Sequence, residues 1–330
     1  MLRVLMIGFG TLGAARITPP ALIKPCEKEP RTAVRVVGAR SRERAEVFAQ
    51  QHKIGVVVDN YAEVISHPLV DAVYIPLPIT QHHEWTIKAL RAGKHVLCEK
   101  SFASNAAEAA EMATVASETG LVVMDAFHYR YHPIFIHARD VIQSGQLGDI
   151  LEVSAAFHVP VTDTGDIRMN YATAGGVTMD IGCYPISWVR HILADEPLEV
   201  NAFAEVGPEN VDIFLTTEML FGNDVKATTS GDMRASAQFM ANIKVSGERG
   251  SMTVNNPIAP HAGSSIEQVI DGVVSNETFS RRPTYSYQLD AFLDAIELGT
   301  PLFTGPEDAV KQMKVIDRCY QAAGLPLRGL

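Results

Sequence analysis

Three glycines near the amino terminus have the spacing that brings a backbone against a dinucleotide pyrophosphate. They belong to the stretch Gly8-Phe9-Gly10-Thr11-Leu12-Gly13. In this pattern the first glycine allows a tight turn, the second removes a Cβ that would strike the phosphates, and the third lets a helix pack against the strand. The helix N-terminus then offers N–H groups and a positive dipole end to the anion. We expect a nucleotide site, the alternative being an ordinary glycine-rich turn.

A second group of chemically active residues follows a predicted strand near residue 98. Glu99 and Lys100 come directly after the apolar residues of that strand. Ligands of open parallel sheets bind at the carboxyl ends of the strands, so Lys100 is expected to point towards a bound nicotinamide. An ammonium there stabilises an oxyanion or a nearby phenolate. The alternative is a surface ion pair, which is the usual state of such residues.

The residues after the second predicted strand indicate which dinucleotide binds. An acidic residue about 20 positions beyond the glycines accepts the ribose hydroxyls of NAD, whereas an arginine accommodates the 2′-phosphate of NADP. Here Arg40, Ser41 and Arg42 precede the first carboxylate, Glu43. A guanidinium grips a phosphate that a carboxylate repels, so NADP is favoured over NAD. Alternatively, both arginines are solvated charges at a helix start that Ser41 caps.

Strands that alternate with helices predict the scaffold for these groups. A buried strand before the glycines is predicted from Leu2, Val4, Leu5, Met6 and Ile7. The following TLGAARI favours a helix, which Pro19 and Pro20 must end or restart. Further apolar strands are predicted at 34–39, 56–58, 72–75, 96–98 and 121–124, with helices at 43–51, 84–91 and 106–119. This alternation indicates a doubly wound parallel sheet covered on both faces.

Composition limits the possible classes of protein. The 330 residues suggest two domains, and 47% hydrophobic with 20% charged residues is typical of a globular protein. The net charge of −10 argues against a general nucleic-acid or acidic-membrane surface. No apolar run reaches the roughly 18 residues of a membrane span, and no signal peptide is recognised. Four scattered cysteines indicate a reduced, cytoplasmic protein without a zinc site.

Four motifs together resemble one enzyme family. They are GFGTLG, YIPLPITQHHEWTIKALRAGKHVLCEK, DAFHYRYHP and AGGVTMDIGCYPISWVRHIL. In this order they closely resemble the Gfo/Idh/MocA family of NAD(P)-dependent oxidoreductases. Within it they look most like the branch of dimeric dihydrodiol dehydrogenase, NADP-dependent xylose dehydrogenase and glucose–fructose oxidoreductase. The resemblance covers essentially the whole chain.

The resemblance implies an α/β Rossmann domain followed by an α+β domain with a large open, mainly antiparallel sheet. We assign residues 1–126 to NAD(P) binding and 127–330 to substrate binding and dimerisation, with a C-terminal helix that packs back on the first domain. The sequence agrees with strand-like runs at 151–159, 198–206, 211–221, 225–230, 239–246 and 251–254, and with helices at 133–144, 287–298 and 307–323. Because the sheet pairs two subunits in this family, a homodimer is expected.

The catalytic lysine of the family falls on Lys100, although Ser101 stands where the family motif has proline. The second catalytic motif falls on Asp180 and Tyr184, which lie on one face if the segment is helical. A tyrosine titrates near pH 10, and the ammonium of Lys100 would lower that pKa. Asp180 would orient the substrate hydroxyl or Lys100. Without the resemblance, the favoured interpretation of Tyr184 is a half-buried tyrosine that is hydrogen-bonded at a helix start.

Other positions of the family's cofactor and substrate sites fall on Pro76, Leu77, His82, Glu99, Arg130 and Arg168. Ile79 stands where relatives often have an asparagine. For His82 a capping role before the following helix is an alternative, and for Arg130, interdomain packing beside its aromatic neighbours. Arg168 resembles a substrate-facing position, against the alternative of a surface salt bridge. His158 and His191 are expected to serve structure.

The implied reaction is reversible hydride transfer between nicotinamide C4 and a carbon that bears a hydroxyl or carbonyl, with no metal required. The expected substrate is a small polyhydroxylated molecule such as an aldose, a dicarbonyl sugar or a cyclic trans-diol. Two alternatives stay open, because a fold does not fix a function. One is a non-catalytic NAD(P)-sensing regulator of the same fold, and the other is a reductase of a non-sugar ring.

Overall fold

A computed structural model describes residues 6–207 and 210–329. The chain divides into two compact units that exchange short segments. The first comprises the described residues of Met1–Ala103 together with Ala107–His128 and Tyr285–Val310. The second comprises Ser104–Ala106, Tyr129–Thr284 and the described residues of Lys311–Leu330.

The first unit is built on a six-stranded parallel sheet. Its strands are β1 (Ile7–Leu12), β2 (Thr32–Gly38), β3 (Val56–Val58), β4 (Ala72–Ile75), β5 (His95–Cys98) and β6 (Val123–Asp125). Their order across the sheet is β3-β2-β1-β4-β5-β6, and every neighbouring pair is parallel. This is the order of a doubly wound dinucleotide fold, with the reversal between β1 and β4. The predicted α/β class is confirmed.

Helices follow most of these strands. They are α1 (Lys24–Cys26), α2 (Arg42–His52), α3 (Tyr61–Ser66), α4 (His82–Arg91) and α5 (Ala106–Thr119), and the chain later returns in α8 (Thr284–Leu298). The returning helix packs its Phe292 ring 5.7 Å from that of Phe9 in β1. A π-helical turn over Pro19–Ile23 leads into α1, so the two prolines stand at the start of a helix. The helix predicted at TLGAARI is absent from the described residues, because Thr11 and Leu12 still belong to β1.

The glycine motif lies in a different register from the one that its spacing predicts. Gly8 and Gly10 are inside β1, not in a turn, and Met6 before the strand is 47% exposed. A Cβ on Gly8 would lie 2.0 Å from the Leu69 carbonyl oxygen, and one on Gly10 would lie 2.5 Å from a methyl of Val64. These two glycines are therefore required by packing within the unit. The tight turn expected at Gly8 was wrong, and the contact with Val64 accounts for Gly10 without a phosphate.

The turn after β1 instead falls at the third glycine of the motif. Gly13 has φ of +98°, a conformation that favours glycine. The predicted apolar residues Leu2, Val4 and Leu5 lie outside the described residues, so the structure does not test their part of the strand.

The second unit is built on an eight-stranded sheet. Its strands are β7 (Ile150–His158), β8 (Glu199–Val206), β9 (Asp212–Leu220), β10 (Lys226–Asp232), β11 (Met240–Gly247), β12 (Gly250–Asn255), β13 (Ser265–Ile270) and β14 (Val273–Thr278). The order is β14-β13-β12-β11-β7-β10-β9-β8, and only β7 and β10 pair in parallel. The predicted large, mainly antiparallel sheet is confirmed, and the hairpin β13–β14 extends it beyond the predicted strands.

Helix α7 (Cys183–Leu193) covers one face of this sheet at β7, β10 and β11, and α6 (Pro133–Gln143) packs beside α7. The last helix is α9 (Pro306–Ala322), whose first residues belong to the first unit. Val153, Ala155 and Phe157 of β7 point to the covered face and are buried, whereas the intervening residues of β7 are more exposed. Such alternation places a hydrophobic core between the sheet and α7. No helix among residues 6–207 and 210–329 is long and apolar enough to cross a membrane.

Candidate active site

The loops that follow the strands of the parallel sheet carry most of the predicted cofactor residues. β1 and β2 end at Leu12 and Gly38, and β4 and β5 end at Ile75 and Cys98. In doubly wound sheets, ligands bind outside these carboxyl ends, on both sides of the point where the strand order reverses. The fold thus gathers the predicted loop residues of the first unit along one edge of its sheet.

The amide of Gly13 donates to the Gly38 carbonyl at 2.7 Å, which ties the turn after β1 to the end of β2. A Cβ built on Gly13 would lie 3.5 Å from Leu77 Cδ2 and 3.8 Å from the Tyr61 hydroxyl, which are ordinary contact distances, so the positive φ and not crowding favours glycine here. Thr11 and Leu12 lead into the turn and are buried, with Thr11 Oγ1 3.3 Å from the Gly13 carbonyl oxygen to which it donates.

The segment after β2 presents two arginines beside the start of a helix. Ser41 is the N-cap of α2 and accepts a hydrogen bond from the Arg44 amide at 3.3 Å, which agrees with the alternative given for this residue. Arg40 is exposed. Arg42 pairs with Glu46 at 2.8 Å and with Asp59, and its side chain is 55% exposed. Exposed pairs of this kind contribute roughly 0–1 kcal/mol, so a phosphate could replace them at small cost.

The segment after β5 holds Glu99 and Lys100, both half-buried. The Tyr74 hydroxyl donates to Glu99 Oε1 at 2.6 Å from within the core of the unit. Burial raises the pKa of Tyr74, and the neighbouring Glu99 carboxylate raises it further, so this phenol remains a proton donor. This hydrogen bond ties the Glu99 side chain to β4. The peptide bond between Lys100 and Ser101 is cis.

His82 joins two of these loops. It is the first residue of α4 and is completely buried, with Nδ1 2.9 Å from the Ser101 carbonyl oxygen and Nε2 2.8 Å from that of Leu77. Burial lowers the pKa of His82 to about 4, and the Lys100 charge acts in the same direction. The ring does not cap α4, so the alternative of a capping role was wrong. It instead fixes the spacing between the segments at 77 and 101.

The second unit positions the predicted substrate residues around the start of α7. Asp180 lies in a π-helical turn over Thr178–Gly182, and Tyr184 is in the first turn of α7. Arg168 Nη1 lies 3.5 Å from Asp180 Oδ2, and Asp166 holds the same guanidinium through Nε at 3.0 Å and Nη2 at 3.1 Å. Hydrogen bonding to Asp166 raises the pKa of Arg168. Arg168 and Asp180, which are distant in sequence, thus form one charged cluster.

Tyr184 is packed among aromatic rings and is only 6% exposed. The ring of Phe157 meets it edge-on at a centroid distance of 5.4 Å, and those of Tyr129 and Trp188 each lie at 6.2 Å. This packing leaves the ring few alternative rotamers. A proton-transferring group must be held within hydrogen-bond reach of its partner, and a fixed ring meets that requirement.

The remaining predicted residues lie in well-packed surroundings. Arg130 is 7% exposed, and its Cζ lies 5.6 Å from the centre of the Phe135 ring, in agreement with packing against aromatic neighbours. His132 Nδ1 accepts from the Ile134 amide at 3.2 Å and so caps α6. His158 bonds to Ser230 and His191 to Tyr129 and Ser187. Within residues 6–207 and 210–329, no group of His, Cys, Asp and Glu side chains could hold a metal ion.

Two family models match the chain. Residues 2–127 match the model described as "Oxidoreductase family, NAD-binding Rossmann fold", and residues 135–253 match the GFO/IDH/MocA C-terminal domain. The chain belongs to the Gfo/Idh/MocA family of oxidoreductases. It is 32% identical over 268 residues to a dTDP-3,4-didehydro-2,6-dideoxy-alpha-D-glucose 3-reductase of Streptomyces violaceoruber, which covers 77% of this chain and 74% of that protein. The predicted family is confirmed.

Other members of the Gfo/Idh/MocA family match over nearly the full length. A D-xylose 1-dehydrogenase (NADP(+)) of Haloferax volcanii is 28% identical over 316 residues, or 96% of this chain and 97% of the relative. The crystal structure of a 3-ketoreductase from Actinomadura kijaniata with NADP and TDP-benzene superimposes with a TM-score of 0.88 at 28% identity, over 96% of this chain and 97% of that one. Structures also exist of variants of that ketoreductase with one tyrosine changed to phenylalanine or one lysine changed to alanine.

Two residues that contact predicted site residues were not found from the sequence. Asp166 holds Arg168, and its position two residues before that arginine is a signal that could have suggested the pair. Tyr74 holds Glu99, but it is one apolar-looking residue within a buried strand, and no local pattern distinguishes it. Both act by holding a predicted site residue in place.

Proposed function

We propose that this protein is an NADP(H)-dependent oxidoreductase that transfers hydride between nicotinamide C4 and a hydroxyl or carbonyl carbon of a sugar, polyol or cyclic trans-diol. One observation carries the proposal. A chain of this family keeps a lysine after β5 and a tyrosine in the first turn of α7, separated by the same number of residues as the lysine and tyrosine altered in the ketoreductase variants. We assign nucleotide binding to residues 1–126 and substrate binding to 127–330.

The cofactor is NADP in this proposal. The turn at Gly13 and the loop residues Pro76 and Leu77 would hold the dinucleotide, with Arg40, Ser41 and Arg42 at its 2′-phosphate. Gly8, Phe9 and Gly10 are packed inside β1, so we do not propose them as cofactor contacts. The NADP(+) in the name of the xylose dehydrogenase and the NADP in the ketoreductase structure support the choice. His82, Glu99 and Arg130 remain candidate contacts.

The chain's own residues supply proton transfer and charge. When bound, the nicotinamide supplies or accepts the hydride. In oxidation, the Tyr184 phenolate takes the proton of the substrate hydroxyl, and in reduction the Tyr184 phenol returns it to the developing alkoxide. The Lys100 ammonium favours the phenolate and stabilises negative charge on the substrate oxygen. Asp180 orients the substrate hydroxyl or Lys100, and Arg168 binds a further hydroxyl.

The charge around Arg168 favours a neutral substrate. Its guanidinium is paired with both Asp166 and Asp180, so two carboxylates face one cation. The two carboxylates would repel the further negative charge of a nucleoside diphosphate placed beside them. Free aldoses, polyols and diols fit this balance better than nucleotide-linked sugars do. The dTDP-sugar reductases among the relatives make a nucleotide-linked ketosugar the second candidate.

A spectrophotometric screen tests the proposal. Aldoses, 1,5-anhydrofructose, trans-dihydrodiols and a dTDP-linked ketosugar are each assayed with both cofactors by absorbance at the NAD(P)H band. We expect turnover of a neutral polyhydroxylated compound with NADP(H). Turnover of the nucleotide sugar alone would move the assignment to the second candidate, and tight NADPH binding without turnover of any compound would favour the non-catalytic alternative.

We also propose that the protein is a cytoplasmic homodimer that pairs through the open face of the large sheet. The four cysteines are buried, and none of them is joined in a disulfide, as in a reducing compartment. On the open face, Phe203 of β8 pairs with Thr216 of β9 and is 60% exposed, although large aromatic side chains are usually buried. Light scattering after size-exclusion chromatography tests the dimer.

A further inference from the structure

A buried arginine beyond α9 connects several parts of the second unit. Arg328 is completely buried, and its Cζ lies 4.5 Å from the ring centres of both Tyr171 and Tyr320. Its Nε donates to the Gly175 carbonyl at 3.1 Å, and its Nη2 donates to Asp212 Oδ1 at 2.5 Å. A planar guanidinium that stacks between two rings and donates in its own plane has one orientation here.

Asp212, the partner of Arg328, is also completely buried. Its Oδ1 accepts from Arg328 and from the Tyr320 hydroxyl, the latter at 3.3 Å. Its Oδ2 accepts from the Thr178 amide at 2.8 Å and from the Thr178 hydroxyl at 2.6 Å. A buried carboxylate is stable only when it is paired and hydrogen-bonded. The pairing with Arg328 therefore allows the Asp212 carboxylate to accept the two hydrogen bonds from Thr178.

Thr178 begins the helical turn that contains Asp180 and leads into α7. Gly176, two residues before Thr178, lies so close to Asp212 that a Cβ on this glycine would be 2.1 Å from Asp212 Oδ1. The Gly176 amide donates to the Arg168 carbonyl at 2.9 Å, and the Gly176 carbonyl accepts from the Asp180 amide at 3.1 Å. Two short routes therefore lead from the buried ion pair to the backbone of Arg168 and of Asp180.

We propose that Arg328 is a positioning residue, which through Asp212 and the Gly175 carbonyl sets the backbone from residue 167 to the start of α7. This inference rests on the proposed function, because it takes Arg168, Asp180 and Tyr184 as the groups that meet the substrate. Arg328 itself does not touch the reacting atoms. It lies in the second unit, so its loss is expected to change substrate turnover and leave NADPH binding to the first unit unaltered.

The test compares Arg328→Lys with the unaltered protein. The lysine keeps the charge opposite Asp212 but loses the stack and the bond to Gly175, so the protein folds with a displaced segment. We expect kcat/KM for the sugar or diol to fall about 100-fold, as misplacement of reacting groups by about 1 Å commonly causes. The dissociation constant for NADPH, measured by fluorescence titration, stays within about twofold, a change of about 0.4 kcal/mol. Full kcat and KM in a folded Arg328→Lys protein would overturn the inference.

A control and a second measurement separate positioning from general stability. Val245→Ala removes two methyl groups from the buried side of β11. In the sheet, β7 and β10 lie between this strand and β9, which carries Asp212. It is expected to lower the unfolding temperature without changing KM. Amide hydrogen exchange over residues 167–184 should be faster in Arg328→Lys and unchanged in Val245→Ala. If the unaltered protein turns over no compound, the proposed function has failed and exchange alone decides: unaltered exchange over 167–184 in Arg328→Lys overturns the inference.

Discussion

Replacing His82 with asparagine should reveal a defined pH dependence of stability. The pKa of His82 is lowered from 6.5 to about 4 in the folded protein, because the ring is completely buried. Below pH 6.5 the unfolded chain binds a proton at this position and the folded chain does not. The neutral ring therefore contributes stability at neutral pH that is lost as the pH falls towards 4.

The size of this effect follows from the shift. Each unit of pKa difference corresponds to about 1.4 kcal/mol, so the full contribution is about 3 kcal/mol, of which about 2 kcal/mol is lost between pH 7.5 and pH 5. Asparagine does not titrate in this range. The free energy of unfolding of the unaltered protein should thus fall by about 2 kcal/mol more than that of His82→Asn over the same pH interval.

Urea titrations at pH 7.5 and pH 5, followed by tryptophan fluorescence, measure the difference. Trp85 lies on the same helix as His82 and reports on the first unit. Burial also lowers the pKa of His95, His132 and His158, but these groups are present in both proteins, and their effects cancel in the comparison. If both proteins lose the same stability between the two pH values, the buried neutral ring has no such role, and the argument from burial is refuted.

Three further predictions concern the cofactor, the first strand and the dimer. Gly10→Ala should lower the free energy of unfolding by about 1–3 kcal/mol through overpacking against Val64 and leave the dissociation constant for NADPH unaltered, whereas weaker NADPH binding with full stability would restore a phosphate role for this glycine. Arg40→Asp should reverse the preference for NADPH over NADH in fluorescence titrations, and an unchanged preference would remove Arg40 from the 2′-phosphate site. Phe203→Asp should yield a monomer by light scattering, and a persistent dimer would place the interface elsewhere.

The parallel sheet was largely predictable because its strands are short apolar runs between amphipathic helices. The strands at 56–58 and 72–75 and the helix at 106–119 match their predicted bounds. The register of β1 was not predictable, because a strand that contains two glycines reads as a turn. A side chain at Gly8 would clash with the Leu69 carbonyl, and one at Gly10 would clash with Val64. Both contacts depend on distant parts of the chain. Spacing alone does not distinguish clearance for a ligand from clearance for a neighbouring strand or helix.

The large sheet shows the same limit at its edge. Strand β14 has Val273 at 70% and Val274 at 76% exposure, so it lacks the alternation of a half-buried strand and was not predicted. For the candidate site, Lys100, Asp180 and Tyr184 are predicted from their motifs. Arg328 and Asp212 were missed, since an isolated charged residue carries no local sign that it will be buried and paired.

Single-turnover measurement of hydride transfer is the sharpest test of the roles proposed for Tyr184 and Lys100. NADPH oxidation by an active carbonyl compound is followed by stopped-flow fluorescence in Tyr184→Phe and Lys100→Met, with Tyr287→Phe and Lys88→Met as matched controls. We expect both site variants to lose at least about 100-fold in the rate of transfer, the usual contribution of a positioned acid, while NADPH binds as before. The controls should transfer hydride at the unaltered rate. Full transfer rates in Tyr184→Phe and Lys100→Met would contradict the assignment of this phenol and this amine to the chemistry.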